Sequence, residues 1–436
     1  MTAEALMMAC VSDIAGMIRG KGFPAAALPA RVARGVGWVP TNVQITCFDR
    51  IAPTPFGSLG DLVLWPDPKS EVRVDFGDGG PVERFILGDV TGTDGSPWSC
   101  CLRSMLRRAL ADLEAETGLT LYAAFEHEFM FKGGGPAGAA FSLDGFRKRQ
   151  RFGELFLGAL RQAGLSPDSF LREYGRDQYE VTIDPAAGVA AADQSLVLRA
   201  LARATAARLG DDITFTPLIG PDEVGNGVHI HISFRDARGF PATYDAGGRH
   251  RLSRTAGAFA AGILKYLDRI VAFTAPSVVS YTRLTPHRWS AAFNNLGDRD
   301  REAAIRICPT SARDEAGIAR QYHYEVRACD AAASPHLQLA ALVLAGLAGV
   351  REGLETPTAT TDDLSLLTPE ALAARGLARL PTSLAEALDR LERDETVRSW
   401  FPDGFVEVYL AHKRGEIAML EGMDAAAVCA AYAAVY

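Results

Sequence analysis

The sequence predicts an α+β protein of two domains, and two patterns along the chain support this fold class. Up to about residue 95, short apolar runs such as 43–48 and 61–65 are separated by proline and glycine turns, which is typical of strands. Beyond that point strand-like and helical segments alternate. Because 436 residues exceed one ordinary domain, we expect a small β-rich domain at 1–97 and a larger domain at 98–436.

The larger domain is expected to begin with an amphipathic helix and to continue with alternating strands and helices. The predicted segments are a helix at 101–117, a strand at 121–131, a helix at 148–163, a strand at 178–183, a helix at 193–209, a strand at 228–233 and apolar helices at 253–274 and 334–350. The remainder, from residue 364, is helical and acidic, and we expect it to form a solvated cap.

Composition excludes several classes of protein. A net charge of −8 disfavours nucleic acid as a partner, since phosphate backbones are bound by basic surfaces. No apolar run approaches the length of a membrane span, and the first residues lack a signal-peptide pattern. Seven cysteines without CxxC spacing indicate reduced, mostly buried thiols. These features predict a soluble cytoplasmic protein without a membrane or nucleic-acid partner.

The segment 225–233 carries the strongest local signal. In a strand, alternate side chains point to opposite faces, so the valine and isoleucines at 228, 230 and 232 face one way. His229, His231 and Ser233 face the other way. An apolar face would rest on a core, while two imidazoles and a hydroxyl are candidate ligands for a metal or a phosphate.

Carboxylates are paired at two other places. Glu126 and Glu128 share one face of the strand at 121–131, and Glu173 and Glu180 flank a glycine-containing turn. A solvated face would explain the first pair equally well, and for the second pair taken alone a surface loop is the better explanation. The apolar neighbours of the first pair favour inward-facing ligands, because buried like charges need a cation.

Arginines near the end of the sheet region complete the pattern. His323, Glu325 and Arg327 share a face of another alternating stretch, and Arg306 lies between two isoleucines, which favours a guanidinium directed at an anion. Oxygen-rich ligation with an imidazole suits Mg²⁺ or Mn²⁺. Enzymes that transfer phosphoryl groups commonly bind the phosphates with metal ions and arginines together. The sequence has no GxxxxGK[ST] loop, which excludes a P-loop enzyme.

The ordered set of motifs resembles the glutamine synthetase superfamily. The matching positions are Glu126 with Glu128, Glu173 with Glu180, the segments 225–233 and 280–284, Arg301 with Arg306, Glu325 with Arg327, and 330–335. Segments 13–21 and 60–67 resemble strands of the family's N-terminal β-grasp domain. The resemblance therefore implies a β-grasp domain, then a catalytic domain with a curved, mainly antiparallel sheet flanked by helices. It also implies a dodecamer with active sites between subunits.

The resemblance further implies a role for each matched position. Two or three Mg²⁺ or Mn²⁺ ions per site would be held by Glu128, Glu173 and Glu180 beside the acyl acceptor and by Glu126, His229 and Glu325 beside ATP. His231, Ser233, Arg306 and Arg327 would contact ATP or the transferred phosphoryl group. Gly225, Arg283 and Arg301 would position glutamate, and Arg301 and Arg306 would take part in catalysis. The implied reaction is phosphorylation of the glutamate γ-carboxylate by ATP, followed by attack of an amine.

Departures from the family pattern bear on the amine. Trp289 stands where true glutamine synthetases have a flap glutamate that binds ammonium, and the region 37–42, where an ammonium-site aspartate is expected, has no carboxylate. An aromatic wall suits an organic amine. Asp177 replaces a usual glycine, and we hypothesise that it binds or deprotonates the amine, although a solvent-facing turn aspartate would look the same. His323 stands in place of an ATP-binding arginine.

The sequence thus predicts an ATP-dependent glutamate–amine ligase that makes a γ-glutamylamide, with methylamine as the leading amine. Aniline, ethanolamine and polyamines are the other amines considered. A glutamine synthetase with an altered flap, using ammonia, is the alternative within the same class. A non-catalytic structural or regulatory homologue is disfavoured, because such a protein has no physical need to keep six metal ligands.

Overall fold

The computed structural model describes residues 3–135 and 139–436. Its N-terminal part carries the predicted short strands and one helix. The elements are β1 Leu6–Ser12, β2 Ile18–Pro24, α1 Leu28–Arg34, β3 Val36–Trp38, β4 Leu62–Val74 and β5 Glu83–Gly92. In the described residues they form one mixed sheet in the order β2-β1-β5-β4-β3, with β1 and β5 parallel.

The expectation of a strand at 43–48 is wrong. A 3₁₀ helix spans Pro40–Gln44, and the chain then turns, with an isolated bridge between Ile45 and Ile51. The apolar residues of this run are nevertheless buried, since Val43 is 5% and Cys47 2% exposed. Burial explains the run of apolar residues here, and the preceding proline favours the start of a helical turn over a strand.

The catalytic domain alternates strands and helices as predicted. Its elements are α2 Leu102–Thr117, β6 Thr120–Phe131, α3 Leu143–Lys148, α4 Gln150–Gln162, β7 Pro167–Arg172, β8 Gln178–Ile183, β9 Ala186–Ala187, α5 Val189–Arg208, β10 Ile213–Thr214, β11 Val228–Arg235, α6 Arg254–Thr274, α7 Ser280–Arg283, β12 Leu296–Asp298, β13 Ile305–Ile307, α8 Glu315–Gln321, β14 Tyr324–Val326, α9 Pro335–Arg351, α10 Pro369–Ala374, α11 Leu384–Arg393, α12 Glu395–Arg398, α13 Phe405–Met419 and α14 Ala425–Val435.

One curved, mainly antiparallel sheet positions the functional side chains. Across the described residues its order is β12-β13-β14-β11-β6-β8-β7, and the short strands β9 and β10 both pair with β6. The pairings β11–β6, β11–β14, β13–β14 and β6–β8 are all antiparallel. Since one face of each strand is apolar and buried against helices, the register of these strands is fixed, and the polar side chains collect on the opposite face.

The helices α6 and α9 form the centre of the core beneath that sheet. Both are buried along nearly their whole length, and they cross very closely at Gly262 and Gly349. A Cβ on Gly262 would lie 2.2 Å from the Ala345 carbonyl oxygen, so this crossing requires glycine.

The C-terminal helices are part of the core, which corrects the expectation of a solvated cap. In α13, Lys413 and Glu416 are fully buried and pair at 2.9 Å. The hydroxyl of Tyr436 donates to the Ala15 carbonyl at 2.7 Å, which ties the C-terminal residue to the first hairpin. Most acidic residues of the tail lie on the exposed faces of its helices, whereas the opposite faces of α11 and α13 are buried. The overall composition therefore did not indicate the buried faces.

Arg103 joins the two domains. Its guanidinium is 6% exposed and pairs at 2.8 Å with Asp67 of β4, Asp89 of β5 and Asp193 of α5. His336 completes the group, 2.8 Å from Asp193. Burial would raise the pKa of Asp193, but hydrogen bonds from His336 and Arg103 outweigh it and hold that pKa at about 2.

Within the described residues, no helix combines the length and the apolar character needed to cross a membrane.

Candidate active site

Five neighbouring strands carry the site across one sheet face. Cross-strand pairing sets Glu128 opposite Glu180, Glu126 opposite His229, His231 opposite Glu325, and Glu325 opposite Arg306. Directly opposite residues in an antiparallel pair have Cβ atoms about 4.5–5.5 Å apart. A register that buries the apolar face therefore aligns carboxylates, imidazoles and a guanidinium in one continuous row.

The first ligand cluster consists of Glu126, His229 and Glu325, whose ligand atoms lie within 4.8 Å of one another. His229 Nδ1 donates to Glu126 Oε1 at 2.6 Å. Burial alone would raise the pKa of Glu126, but hydrogen bonds from His229 and His231 outweigh it and hold that pKa well below its usual range. Glu325 is fully buried, and against the effect of burial Arg327 and the two histidines hold its pKa at about 2.

The second cluster consists of Glu128, Glu180 and His229, again within 4.8 Å. Glu173 lies near this group but outside that distance set. Burial, together with the charges of Glu126 and Glu128, raises the pKa of Glu180 to about 10. Burial and the Glu128 charge raise the pKa of Glu173 to about 7. Carboxylates crowded in this way have an excess of negative charge that a cation would neutralise.

Gln178 orients the second cluster, and the sequence did not single it out. Its side chain is 1% exposed, and its amide nitrogen donates to the Gly225 carbonyl and to Asn226 Oδ1, each at 2.8 Å, and to Glu128 Oε2 at 3.2 Å. The backbone nitrogen of Gly227 donates to the same Glu128 oxygen at 2.8 Å. Glu128 is thus held in place by neighbours, as metal ligands require.

A cavity of about 730 Å³ opens beside the first cluster. Glu126, His231, Ser233 and His323 line it. Arg306 does not line the cavity, but its Nε lies 2.6 Å from Glu325 Oε1, and Glu325 Oε2 lies 3.3 Å from His231 Nε2. Of the predicted ATP-contacting residues, His231 and Ser233 therefore line one cavity, which is of the size that small-molecule sites have, and Arg306 is connected to it through Glu325.

Arg327 forms hydrogen bonds both to a strand residue and to two loops. Its Nη1 donates to Glu325 at 2.6 Å, its Nε to the Arg301 carbonyl at 2.9 Å and its Nη2 to the Trp289 carbonyl at 3.1 Å. The residue was predicted to contact ATP. The structure gives each of its three nitrogens a protein partner.

Arg283 is the clearest anion site. It is 4% exposed, and its guanidinium donates to the Cys329 carbonyl at 2.7 Å and to Ser290 Oγ at 3.2 Å, while Nε has no hydrogen-bond partner. Among the described residues no carboxylate lies within 4.0 Å of it. A Cβ on Gly225 would lie 2.6 Å from the Arg283 side chain, so glycine is required for this close approach. Arg301, the third predicted glutamate ligand, is exposed.

Three exposed aromatic rings form a rim beside the carboxylate clusters. Trp289 is 57%, Tyr174 50% and Phe141 60% exposed. The centroid of Tyr174 lies 5.4 Å from that of Trp289 and 5.2 Å from that of Phe141. The backbone nitrogen of Trp289 donates to Glu302 Oε1 at 3.2 Å, so a carboxylate from a different loop lies at this rim. We call these three rings the aromatic rim.

The hypothesis that Asp177 binds the amine is not supported by its placement. Its side chain is fully buried, and its oxygens lie 3.0 Å from Lys148 Nζ and 2.9 Å from Arg149 Nη2. Its φ of 47° is in the left-handed region, where aspartate is tolerated. A carboxylate that is closed to solvent and paired with two cations is the arrangement of a structural turn residue, so the role of Asp177 towards the amine stays a prediction that its placement does not favour.

Comparison with known proteins identifies the class of enzyme. Residues 99–427 match the family described as glutamine synthetase, catalytic domain, and residues 3–98 match the glutamine synthetase N-terminal domain. These matches, the fold and the site define an ATP-dependent ligase that forms C–N bonds. The chain belongs to the glutamine synthetase family, as its motifs predicted.

Individual relatives agree with this assignment. The gamma-glutamylpolyamine synthetase GlnA3 of Streptomyces coelicolor is 35% identical over 96% of this chain and 91% of its own length. A crystal structure described as a novel glutamine synthase homolog has a TM-score of 0.92 at 41% identity, over 100% of this chain and 99% of that one. The ADP complex of GmaS has a TM-score of 0.82 at 23% identity, covering 97% and 95% respectively, which is a likeness of fold.

Proposed function

We propose that this protein ligates the γ-carboxylate of glutamate to a primary amine on an alkyl chain, through γ-glutamyl phosphate, with ATP converted to ADP and phosphate. The observation that carries the proposal is the convergence of Glu126, Glu128, Glu180, His229 and Glu325 in two ligand clusters on one sheet face. A carboxylate is unreactive towards amines until one oxygen becomes a leaving group, which is the purpose of the phosphorylation.

The clusters fit two ions of Mg²⁺ or Mn²⁺. The two clusters offer two carboxylates each and share the single imidazole of His229, and carboxylate-rich donor sets of this kind are accepted by these hard cations. The raised pKa values of Glu173 and Glu180 support the fit, because they reflect negative charge without a counter-charge. Bound ions of this kind neutralise phosphate oxygens. Glu173, whose pKa burial and the charge of Glu128 raise, would add a further carboxylate to the second cluster.

The protein's own residues then bind and orient the two reactants. His231 and Ser233 line the proposed nucleotide cavity, Arg306 pairs with Glu325 beside His231, and these three residues would hold phosphate oxygens. Arg283 would bind a carboxylate of glutamate, because its buried guanidinium has no acidic partner among the described residues. Arg301, exposed beside this region, would contact the glutamate or the transferred phosphoryl group.

The aromatic rim and Glu302 form the proposed amine site. Ring faces attract ammonium groups and cover the attached methylenes. The indole of Trp289 cannot bind an ammonium group as a carboxylate would. Glu302 supplies a carboxylate at the same place, because Glu302 Oε1 accepts a hydrogen bond from the Trp289 backbone nitrogen. We assign to Glu302 the binding of the substrate ammonium group that the sequence had led us to expect from Asp177.

Within this reaction we place polyamines first and methylamine second. The rim is open, with each ring at least half exposed, so a long chain can extend along it. A diamine also has a second ammonium group for a ring face or for Glu302, which methylamine lacks. The relative GlnA3, named a gamma-glutamylpolyamine synthetase, covers almost the whole chain. Methylamine, which the presence of Trp289 in place of the flap glutamate suggested, is the second candidate.

The test is phosphate release from ATP with glutamate and a panel of amines, with the product identified by mass spectrometry. Putrescine and spermidine should give a higher kcat/KM than methylamine, ethanolamine, aniline or ammonium. Glu126→Gln, which removes one charge from the first cluster, should abolish turnover with every amine. If ammonium gives the highest kcat/KM, the protein is a glutamine synthetase with an altered flap. If no amine supports phosphate release, the proposed ligase activity is refuted.

The assembly is proposed as a dodecamer with active sites between subunits. Apolar side chains exposed on the N-terminal domain support an interface there, with Leu59 at 86%, Leu6 at 65% and Ile51 at 59% exposed. Light scattering coupled to size-exclusion chromatography measures the mass directly. A monomer would contradict this assembly.

A further inference from the structure

A second kind of ligand cluster lies next to the carboxylates. His231, Cys308 and His323 place one ligand atom each within 4.8 Å of one another. Cys308 Sγ lies 3.9 Å from His231 Nδ1, and the two imidazole centroids are 5.1 Å apart. We infer that this cluster binds a thiophilic divalent cation such as Zn²⁺.

The hydrogen-bond partners of both imidazoles fit such a site. His323 Nδ1 lies 2.7 Å from the Gln321 carbonyl oxygen, which only accepts, so the hydrogen is on Nδ1 and the lone pair is on Nε2. His231 Nε2 lies 3.3 Å from carboxylate oxygens of Glu126 and Glu325, which leaves Nδ1 facing the thiol. A metal-binding histidine characteristically donates its other nitrogen to a carboxylate or a carbonyl.

The three ligands are held on rigid elements. His231 is within β11, Cys308 follows β13 directly and His323 precedes β14. The backbone nitrogen of Cys308 donates to the His323 carbonyl at 3.2 Å, which extends the β13–β14 ladder by one pair. Cys308 is 5% exposed, so its position is set by packing. Ligands on paired strands keep a fixed separation, whereas ligands on loops do not.

The donor set selects a different cation from the carboxylate clusters. One sulfur and two nitrogens suit Zn²⁺ in tetrahedral geometry, whereas Mg²⁺ prefers oxygen. Binding converts the Cys308 thiol to a thiolate, and its proton goes to solvent. Three protein ligands leave a fourth position, which faces the cavity that His231 and His323 line.

Occupation of this site would hinder nucleotide binding. His231 would bind the cation through Nδ1 and would then no longer contact a phosphate of the nucleotide. The cation itself would lie at the wall of the cavity. This consequence rests on the proposed function, in which the cavity holds ATP, but the binding of the cation does not.

The test uses the full chain, freed of metal with a chelator and then supplied with excess Mg²⁺ to occupy the carboxylate clusters. Titration with Co²⁺, a spectroscopic substitute for Zn²⁺, should produce a thiolate-to-cobalt charge-transfer band that Zn²⁺ then removes. Cys308→Ser should lose the band, whereas Cys429→Ser, which changes a buried cysteine in α14, should keep it. His323→Gln retains the thiol and should weaken Co²⁺ binding about 10- to 100-fold.

Absence of the band in the unmodified protein would overturn the inference, as would its persistence in Cys308→Ser or unchanged Co²⁺ affinity in His323→Gln. Addition of ADP separates this inference from the proposed function. ADP should lower the apparent affinity for Co²⁺. A thiolate band that ADP leaves unchanged would place the nucleotide elsewhere while confirming the cation site.

Discussion

Replacement of Trp289 by alanine is expected to reduce the use of long amines far more than the use of ammonium. The substitution removes the indole but keeps both backbone contacts, the nitrogen with Glu302 and the carbonyl oxygen with Arg327. The loop should therefore keep its conformation. The measured change then reports on the ring itself.

The magnitude follows from the exposed surface of the indole. Trp289 is 57% exposed, and a fully buried aromatic side chain covers about 150–250 Å², so roughly 100 Å² is open to a ligand. If an alkyl amine covers half of that area, burial contributes about 1.2 kcal/mol at 25 cal/mol per Å². A cation–π contact at an exposed site adds about 0.5–1 kcal/mol. The sum predicts a loss of roughly 20-fold in kcat/KM for putrescine.

Ammonium has no methylene groups, so the cation–π part alone applies and the expected loss is about 2- to 5-fold. Steady-state phosphate release with each amine measures both losses. Phe240→Ala is the matched control, because Phe240 is 59% exposed and lies in the turn after β11. Equal losses for ammonium and putrescine would refute the assignment of Trp289 to the alkyl part of the substrate, as would an equal effect of Phe240→Ala.

The remaining predictions concern the carboxylates and the domain contact. Glu302→Gln should raise KM for polyamines about 5- to 30-fold with little change in KM for ATP, since an ammonium–carboxylate contact near the surface is worth about 1–2 kcal/mol; an unchanged KM would exclude Glu302 from the amine site. Because the pKa of Glu173 is raised to about 7 and that of Glu180 to about 10, both carboxyls are largely protonated in the metal-free protein near pH 6, and a bound cation favours their ionised forms. Calorimetry of Mg²⁺ binding in two buffers should therefore show proton release and tighter binding as the pH rises from about 6 to 8; binding independent of pH would contradict the raised pKa values. Arg103→Met should lower the free energy of unfolding by about 3–5 kcal/mol, because it removes the buried guanidinium that pairs with Asp67, Asp89 and Asp193 at the domain contact, although Asp89 keeps Arg107 and Asp193 keeps His336 as partners. Exposed Arg73→Met should change it little, and equal unfolding midpoints for the two variants would refute this role.

Much of the metal site could be predicted from the sequence, because a period of two determines which side chains share a strand face. His229 and His231 were placed on one face because a single residue, Ile230, separates them, and Glu126 and Glu128 were placed on one face by the same rule. Burial of the apolar face then fixes the register between strands. The local sequence pattern was therefore sufficient to predict most of the side chains that form the row of ligands.

The amine site could not be predicted in this way, since it is assembled from loops far apart in the sequence. Phe141, Tyr174 and Trp289 come from three separate segments, and no periodic pattern connects them. The burial of Asp177 could not be predicted for the same reason. Its partners Lys148 and Arg149 lie at the junction of two helices, and a turn aspartate with buried cationic partners looks the same in sequence as one that faces a substrate.

Arg327 explains how the two kinds of site can belong to one enzyme and still vary separately. The metal ligands of the clusters described here lie on strands, whose geometry is fixed by pairing, whereas the amine rim lies on loops. Trp289 has a φ of 55°, a left-handed conformation that a tryptophan adopts only where tertiary contacts impose it. Arg327 supplies such a contact and at the same time binds Glu325. A planar guanidinium with three partners in fixed directions can make this connection, which a lysine cannot. Because this connection uses the backbone oxygen of Trp289, we expect that a change of side chain at position 289 leaves the carboxylate clusters unaltered.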